Sequence, residues 1–401
     1  MKLFDDPLFQ FLADRALELI NRGGAEYGEC VHVAEQIPAG DRDAWHRAWT
    51  ATAARVAAAA EASAAHGHRV SAVDGFWRAT TYYRVSYLPL FGSPVDPRLV
   101  ESFRRESECF RRMAALADRP VELVEIPFEG TTLPGCLCLP DGDRTVARPT
   151  LLAVNGYDSN IHEMYWSHAV PAVRRGYACL LVDGPGQGRT LIEQGMPIRP
   201  DWEDVLRPVM DYAAGRPEID ASRVAAMGWS FGGFLAPRGA SGEHRIAALV
   251  ADPGLMDLVE GLQLPKEVRD RVPDVDPGEM GELLAPVVEN PVARWALVQR
   301  ALWVHGLDTL GEYVIETDRY RLSRVAEQIT CPTLVCGNDD DPLAAQAQLL
   351  FEKLTCPKDL AYFRKAEYGK LGHTQAWNRS MFDQRVFDWL DDTLGVTPAA
   401  T

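Results

Sequence analysis

The spacing of residue types divides the chain into a helical first part and a second part in which strands and helices alternate. Residues 1–118 are rich in alanine and other helix formers, with charges three and four residues apart, which predicts helices. The pattern is clearest in three segments: residues 43–65, 73–90 and 93–116. Pro97 stands near the start of the third, where its fixed φ suits a first helical turn. We therefore predict a helical N-terminal domain over residues 1–120.

The pattern changes to short apolar runs after residue 120. Residues 121–130 and 131–140 predict a hairpin that turns near Glu129 and Gly130. Later apolar runs alternate with helical segments, which predicts a mostly parallel sheet covered by helices on both faces; these runs are residues 149–156, 177–184, 223–230, 246–254, 331–339 and 359–365. Residues 255–328 interrupt the alternation with helical periodicity. We predict an α/β domain over residues 121–401 with a helical lid insertion at about 255–328, above the strand ends where such sheets bind ligands.

Charge and composition exclude several classes of protein. The formal net charge of −16 would repel a polyanion, so we expect no nucleic-acid partner. Asp5 and Asp6 interrupt the N-terminal apolar residues, which argues against a signal peptide, and no run approaches the roughly 20 apolar residues of a membrane span. We therefore expect a cytoplasmic protein that does not bind membranes. The eight cysteines show no CxxC pair and mostly lie in apolar runs, which predicts structural thiols and no metal site.

A serine between glycines, in the stretch Gly228-Trp229-Ser230-Phe231-Gly232, carries the main chemical signal. An apolar strand precedes it and a helical segment follows it, the context in which a G-x-S-x-G pattern predicts a nucleophile elbow. Glycines are needed where the strand and the helix crowd a strained serine. The pattern predicts Ser230 as the nucleophile of an α/β-hydrolase fold.

A serine hydroxyl needs a base, and the base needs an acid to orient it. In this fold the acid follows the serine along the chain and the histidine comes last. His373 is the histidine that follows the acid loop, so it is the predicted base. Asp339, Asp340 and Asp341 are adjacent after the strand ending near Gly337; we predict Asp340 as the acid, with Asp339 second and Asp341 third.

An oxyanion intermediate requires two fixed N–H donors. We expect the backbone amide of Phe231, next to the nucleophile, and that of Tyr157, in the loop after the strand ending "AVNG". The glycine-rich stretch "DGPGQG" at 183–188 invites comparison with nucleotide-binding loops. Its spacing fits neither dinucleotide-binding nor P-loop patterns, so we predict no nucleotide cofactor.

With these motifs placed, the chain resembles α/β-hydrolases of a branch with a helical N-terminal domain. That branch includes the fungal Ayg-type naphthopyrone hydrolases, which shorten polyketides, 2,6-dihydroxypseudooxynicotine hydrolase and the FrsA-like esterases. The resemblance rests on "NGYDSNIHEMYW", "DGPGQG" and "GWSFGGFLAPR", and extends to "WRATTYYRVSYL" and "WVHGLDTLGEY". It implies a small-molecule substrate, no cofactor and a possible homodimer. It also implies substrate-binding roles for four residues: Asp158, Glu163, Tyr82 and Trp229. Glu163 also fits an ordinary acid of a first helical turn, and Tyr82 an ordinary core aromatic.

The resemblance implies hydrolysis of a C–C bond beside a ketone, by a retro-Claisen route through an acyl-serine. A carboxylesterase, thioesterase or acyltransferase would use the same triad and remains an alternative. A third possibility is a binding module on an inactive hydrolase fold, against which the intact Ser230, Asp340 and His373 argue.

Overall fold

Helices make up the N-terminal part of the chain. The computed structural model describes residues 2–262 and 264–396. The first five helices are α1 (Pro7–Leu17), α2 (Tyr27–Ala34), α3 (Arg42–Ala65), α4 (Arg69–Ser86) and α5 (Pro97–Leu116). Asp41 caps α3 by accepting a hydrogen bond from the Ala44 amide (2.8 Å), and Asp96 caps α5, whose first residue is Pro97. Capping side chains and a helix-starting proline thus fix where these helices begin.

Aromatic side chains form the interior of this helical unit. The rings of Trp45, Trp49 and Tyr82 are fully buried and pack in series, with centroids 5.8 Å and 5.6 Å apart. The Tyr82 hydroxyl donates to Glu29 (2.7 Å) and accepts from the Glu26 amide (2.8 Å). The surroundings of Tyr82 therefore give it a packing role, and its hydroxyl is used within its own unit.

The segment predicted as a lid insertion, residues 255–328, is divided between two compact units, which differs from the predicted domains. One unit consists of the chain up to Val121 together with Glu282–Trp303; the other consists of Glu122–Gly281 and the chain from Val304 onward. The Trp295 indole donates to the Leu88 carbonyl (2.8 Å), which attaches the returning segment to the helical unit. Part of the predicted lid thus belongs with the N-terminal helices, because contacts far apart in sequence decide where it packs.

An eight-stranded sheet forms the framework of the second unit. Its strands are β1 (Val121–Phe128), β2 (Thr131–Cys138), β3 (Arg148–Val154), β4 (Ala178–Val182), β5 (Ile219–Trp229), β6 (Ala248–Asp252), β7 (Thr333–Asn338) and β8 (Lys358–Phe363). The spatial order is β1-β2-β4-β3-β5-β6-β7-β8. Strand β2 pairs antiparallel to β4, and the pairs from β4 to β8 are parallel. The carboxyl ends of β3 to β8 therefore meet at one edge of the sheet.

Burial on both faces accounts for the composition of the central strands. Every residue of β4, β6 and β7 is buried, as expected for parallel strands covered by helices on both sides. The remaining α-helices are α6 (Ile161–Met164), α7 (Val170–Val173), α8 (Gly188–Ile192), α9 (Trp202–Ala214), α10 (Gly232–Ala240), α11 (Leu258–Gly261), α12 (Lys266–Arg269), α13 (Pro277–Leu284), α14 (Pro291–Arg294), α15 (Leu302–His305), α16 (Leu310–Glu316), α17 (Ala347–Lys353), α18 (Lys365–Tyr368) and α19 (Arg379–Leu394). Two segments are π-helical, Tyr165–Ala169 and Trp295–Ala301. Short 3-10 segments are Ile20–Arg22, Leu88–Leu90, Val287–Glu289, Thr317–Arg319, Leu322–Arg324, Ala326–Gln328, Pro342–Gln346 and His373–Asn378.

Hydropathy along the helices bears on membrane association. In the part of the chain that the structure describes, no helix combines the length and apolar character that crossing a bilayer requires.

Candidate active site

The turn between β5 and α10 holds Ser230 in a strained conformation. Ser230 has φ of 59°, in the left-handed region that costs a non-glycine residue about 1–3 kcal/mol. Its amide donates to the Asp252 carbonyl at the end of β6 (2.7 Å), which fixes the turn against the neighbouring strand. A Cβ on Gly228 would lie 1.8 Å from the Gly232 carbonyl oxygen, so this position requires glycine. The predicted strand–serine–helix turn is therefore present, and it holds the hydroxyl at the edge of the sheet.

A histidine and a carboxylate stand in line with this serine. His373 Nε2 lies 2.8 Å from Ser230 Oγ, and His373 Nδ1 lies 2.7 Å from Asp341 Oδ2. The His373 side chain is 34% exposed and that of Asp341 only 1%, so the imidazole is reachable while the carboxylate is buried. This geometry lets the imidazole take a proton from the hydroxyl while the carboxylate holds the ring in one tautomer.

Asp341 is kept ionised by its surroundings. Burial by itself would raise its pKa, but His373 and the hydrogen bonds from the Thr374 and Leu343 amides hold that pKa below its usual value. The Thr374 amide donates to Oδ2 (3.2 Å) and the Leu343 amide to Oδ1 (3.1 Å). The carboxylate is therefore a fixed acceptor for the imidazole.

The prediction that Asp340 is the acid partner of His373 is wrong. Asp340 pairs with Lys365 (2.8 Å) and accepts from the Leu371 amide (2.8 Å). Asp339, the second choice, accepts from the Lys365 amide (2.8 Å) and lies 3.3 Å from Arg364. The three aspartates leave the end of β7 in different directions, and only their positions in space distinguish the one that meets His373.

The turn that carries His373 is also strained. Thr374 and Gln375 have φ of 53° and 52°, so two successive non-glycine residues adopt the left-handed conformation. The Trp229 indole N–H donates to Thr374 Oγ1, and that hydroxyl donates to the His373 carbonyl (2.7 Å). Trp229 was predicted to bind substrate, but its polar atom is used to hold the histidine turn.

The loop after β3 lies directly against Ser230. A Cβ placed on Gly156 would be 2.8 Å from Ser230 Cβ and 3.1 Å from its Oγ. Only a glycine permits this approach, and the next amide along the loop is that of Tyr157, the predicted oxyanion donor. The other predicted donor, the Phe231 amide, lies at the cap of α10, where helical N–H groups favour negative charge.

The glycine-rich stretch "DGPGQG" supports this loop. Gln187 Nε2 donates to the carbonyls of Asn155 (2.7 Å) and Gly156 (3.2 Å). Asp183 accepts from Asn155 Nδ2 (2.7 Å) and from the Ile161 amide (2.9 Å). These buried contacts give the stretch a positioning role, which sequence spacing alone had not revealed.

The Tyr157 side chain belongs to a buried aromatic cluster. Its ring stacks on that of Phe231 with centroids 4.3 Å apart. Its hydroxyl lies 2.7 Å from His305 Nε2 and 3.3 Å from the Tyr313 hydroxyl. Burial, with a smaller effect from Arg319, lowers the pKa of His305 to about 3, so this imidazole is neutral at ordinary pH. The cluster combines aromatic rings with neutral hydrogen-bonding groups, and sequence patterns had not predicted it.

Asp158, in the loop after β3, and Glu163, in the following helix α6, are the two acidic residues predicted to contact substrate. Asp158 and Glu163 are both 7% exposed, and the Glu163 amide donates to Asn160 Oδ1 (3.1 Å), which caps α6. Their roles toward a substrate stay predictions.

Most of the cysteine thiols lie away from solvent. Cysteines at all eight positions are free thiols, and seven are buried. Burial raises the pKa of Cys30 and Cys109 to about 12. Within residues 2–262 and 264–396, no group of three or more His, Cys, Asp or Glu side chains is arranged to hold a metal ion.

A strained serine after β5, a histidine in a late loop and a mostly parallel sheet together define a class of enzyme. The alpha/beta hydrolase family matches residues 151–388, and the chain belongs to that family. The protein is accordingly a hydrolase, as the sequence predicted.

Particular relatives extend this likeness over the whole chain. "Hydrolase LUC6" from Fusarium sp is 31% identical over 98% of each chain. "20-hydroxy-prefusarin hydrolase FUS2" from Gibberella moniliformis is also 31% identical over 98% of each chain. The solved structure of 2,6-dihydroxy-pseudo-oxynicotine hydrolase has a TM-score of 0.75, covers 96% of this chain and 98% of its own, and is 22% identical. The helical N-terminal part and the hydrolase part thus occur together in similar proteins.

Proposed function

We propose that this hydrolase acts on a small organic molecule with Ser230 as nucleophile, His373 as general base and Asp341 as orienting acid. The observation that carries the proposal is the pair of contacts at His373, 2.8 Å to the serine and 2.7 Å to the aspartate. Contacts of this length let a proton move from the serine as it attacks a carbonyl carbon.

The oxyanion formed by that attack would be held by the amides of Tyr157 and Phe231. The close approach of Gly156 to Ser230 supports this role, because it brings the loop beside the reacting oxygen. Removal of one fixed oxyanion donor typically costs about 2.7–4 kcal/mol of transition-state stabilisation.

The proposed reaction is cleavage, in a β-diketone, of the bond between one ketone carbon and the carbon that lies between the two carbonyls. Ser230 Oγ adds to the ketone, and the tetrahedral intermediate collapses with loss of an enolate, which His373 protonates at carbon. The remaining acyl-serine is then hydrolysed by water, with His373 again acting as base. The products are a carboxylic acid and a shortened ketone.

The residues around Ser230 and the name of one relative support the proposed substrate class. Stacked aromatic rings and the neutral Tyr157–His305 pair suit a flat, conjugated molecule bearing oxygen atoms, such as an aromatic or polyketide-like β-diketone. One relative at 31% identity carries the name 20-hydroxy-prefusarin hydrolase, which is consistent with an elaborate organic substrate.

The test compares two carbonyl substrates on the same enzyme. Benzoylacetone, an aromatic β-diketone, and p-nitrophenyl acetate are offered to the wild type and to Ser230→Ala, and the products are identified by chromatography. We expect diketone cleavage to a carboxylic acid and a methyl or aryl ketone, which the Ser230→Ala variant loses. Rapid ester turnover without cleavage of this or larger aromatic diketones would instead assign a carboxylesterase, thioesterase or acyltransferase activity to the same residues.

A further inference from the structure

Asp252, at the carboxyl end of β6, joins the two strained turns of the site. Its backbone carbonyl accepts the Ser230 amide (2.7 Å), so it fixes the nucleophile turn. Its side chain is nearly fully buried, and the neighbouring β5 residue in register with it is Trp229. A carboxylate in this position is costly unless polar groups surround it.

The Asp252 carboxylate is surrounded by groups from the histidine side of the site. Oriented so that its amide nitrogen faces acceptors, Gln375 donates to both Asp252 oxygens (3.0 and 3.1 Å) and accepts from Asn338 Nδ2 (3.0 Å). Arg379 Nη1 lies 3.8 Å from Asp252 Oδ2 and 3.2 Å from the Thr374 carbonyl. Through Gln375 and Arg379, one carboxylate reaches both left-handed residues that follow His373.

We propose that Asp252 is a positioning residue that holds the His373 turn in register with Ser230 when its carboxylate is ionised. This inference rests on the proposed roles of Ser230 and His373. In the ionised form, the carboxylate accepts the Gln375 amide and attracts Arg379, and both interactions fix the backbone from which His373 projects. A protonated carboxyl weakens these interactions and loosens the turn.

The Asp252 carboxyl changes between its protonated and ionised forms within a pH range that assays can reach. Burial raises the pKa of Asp252 to about 7; Arg379 opposes this rise and the nearby Asp341 adds to it. The charged and titratable groups that face it come from several elements: Arg379 on α19, Asp341 after β7, His373 in its turn, and the Cys336 thiol on β7. Near neutral pH the protein therefore changes between a firmly held and a loosely held histidine turn.

The test measures the rate of Ser230 labelling by a fluorophosphonate probe between pH 5.5 and 8.5. At pH 8.5 we expect Asp252→Asn to slow labelling about tenfold, the size expected from weakening one hydrogen bond to a charged group. As pH falls, the ratio of wild-type to variant rates should approach one, because the wild-type carboxyl is then also uncharged. A purely structural defect would leave that ratio constant.

Asp383→Asn is the matched control, because Asp383 is also buried and lies 3.8 Å from Arg379. We expect the labelling rate of Asp383→Asn to stay within about twofold of the wild-type rate. Gln375→Met offers a second route: it keeps the carboxylate but removes its link to the turn, and should slow labelling as Asp252→Asn does. The proposal is overturned by a pH-independent ratio, by an Asp383→Asn effect equal to that of Asp252→Asn, or by normal labelling of folded Gln375→Met. A wild type that fails to react at all would instead overturn the nucleophile assignment for Ser230.

Discussion

Replacing Asp341 by asparagine is the sharpest test of which carboxylate serves His373. Asparagine keeps the size of the side chain, and its oxygen can still accept the amide hydrogen bond of Leu343, which reaches Oδ1 in the native protein. Its NH₂ group, however, would face His373 Nδ1, which is 2.7 Å from the carboxylate oxygen in the native protein. The ring would then carry its proton on Nε2, toward Ser230, and could not act as a base.

The size of the effect follows from this change of tautomer. A serine triad that loses its aspartate in this way typically loses about 10⁴-fold in kcat, or about 5 kcal/mol of transition-state stabilisation. We therefore expect Asp341→Asn to lower kcat/KM by about 10³- to 10⁴-fold. The measurement is steady-state hydrolysis of p-nitrophenyl acetate, with thermal unfolding to establish that the variant is folded.

Asp340→Asn provides the internal control. Asp340 contacts the exposed Lys365 and the Leu371 amide, so its replacement removes a solvent-exposed ion pair, which contributes little to stability. We expect activity within about threefold of wild type. If Asp340→Asn abolished activity while Asp341→Asn remained active, the assignment of the acid would be refuted, together with the geometry on which it rests.

Three further predictions concern the neighbourhood of the nucleophile. Gly156→Ala places a methyl group 2.8 Å from Ser230 Cβ, so the loop must shift. We expect kcat to fall about 10- to 100-fold with little change in KM. An unchanged ratio of kcat to KM would contradict this. Tyr157→Phe removes the hydroxyl that faces His305, and we expect about 1–3 kcal/mol lower stability in urea unfolding; a change below 0.5 kcal/mol would argue against that hydrogen bond. Because burial raises the pKa of Asp252 to about 7, the folded state holds a proton that the unfolded state has lost, and stability should decline between about pH 4 and 7. Asp252→Asn should remove part of that decline in unfolding free energies measured across this range, and identical pH profiles would contradict the raised pKa.

Local sequence determined most of the framework of this protein. The alternation of apolar runs and helical segments predicted the mostly parallel sheet covered by helices, because buried parallel strands require apolar residues on both faces. The serine between glycines predicted the turn at Ser230, since its strand, strained residue and close contacts all lie within a few residues. Chain order was enough to select His373, which lies 2.8 Å from the serine.

Tertiary structure decided what depends on direction and on distant partners. Asp339, Asp340 and Asp341 are equivalent as a string, and only the path of the chain after β7 aims the third of them at His373. The role of Trp229 also could not be predicted from the sequence, because its indole contacts a residue 145 positions away. The return of Glu282–Trp303 to the N-terminal helices likewise depends on long-range packing that periodicity does not encode. Sequence patterns report neighbours along the chain, whereas a side chain's chemical role depends on the atoms that folding brings to within about 3 Å of it.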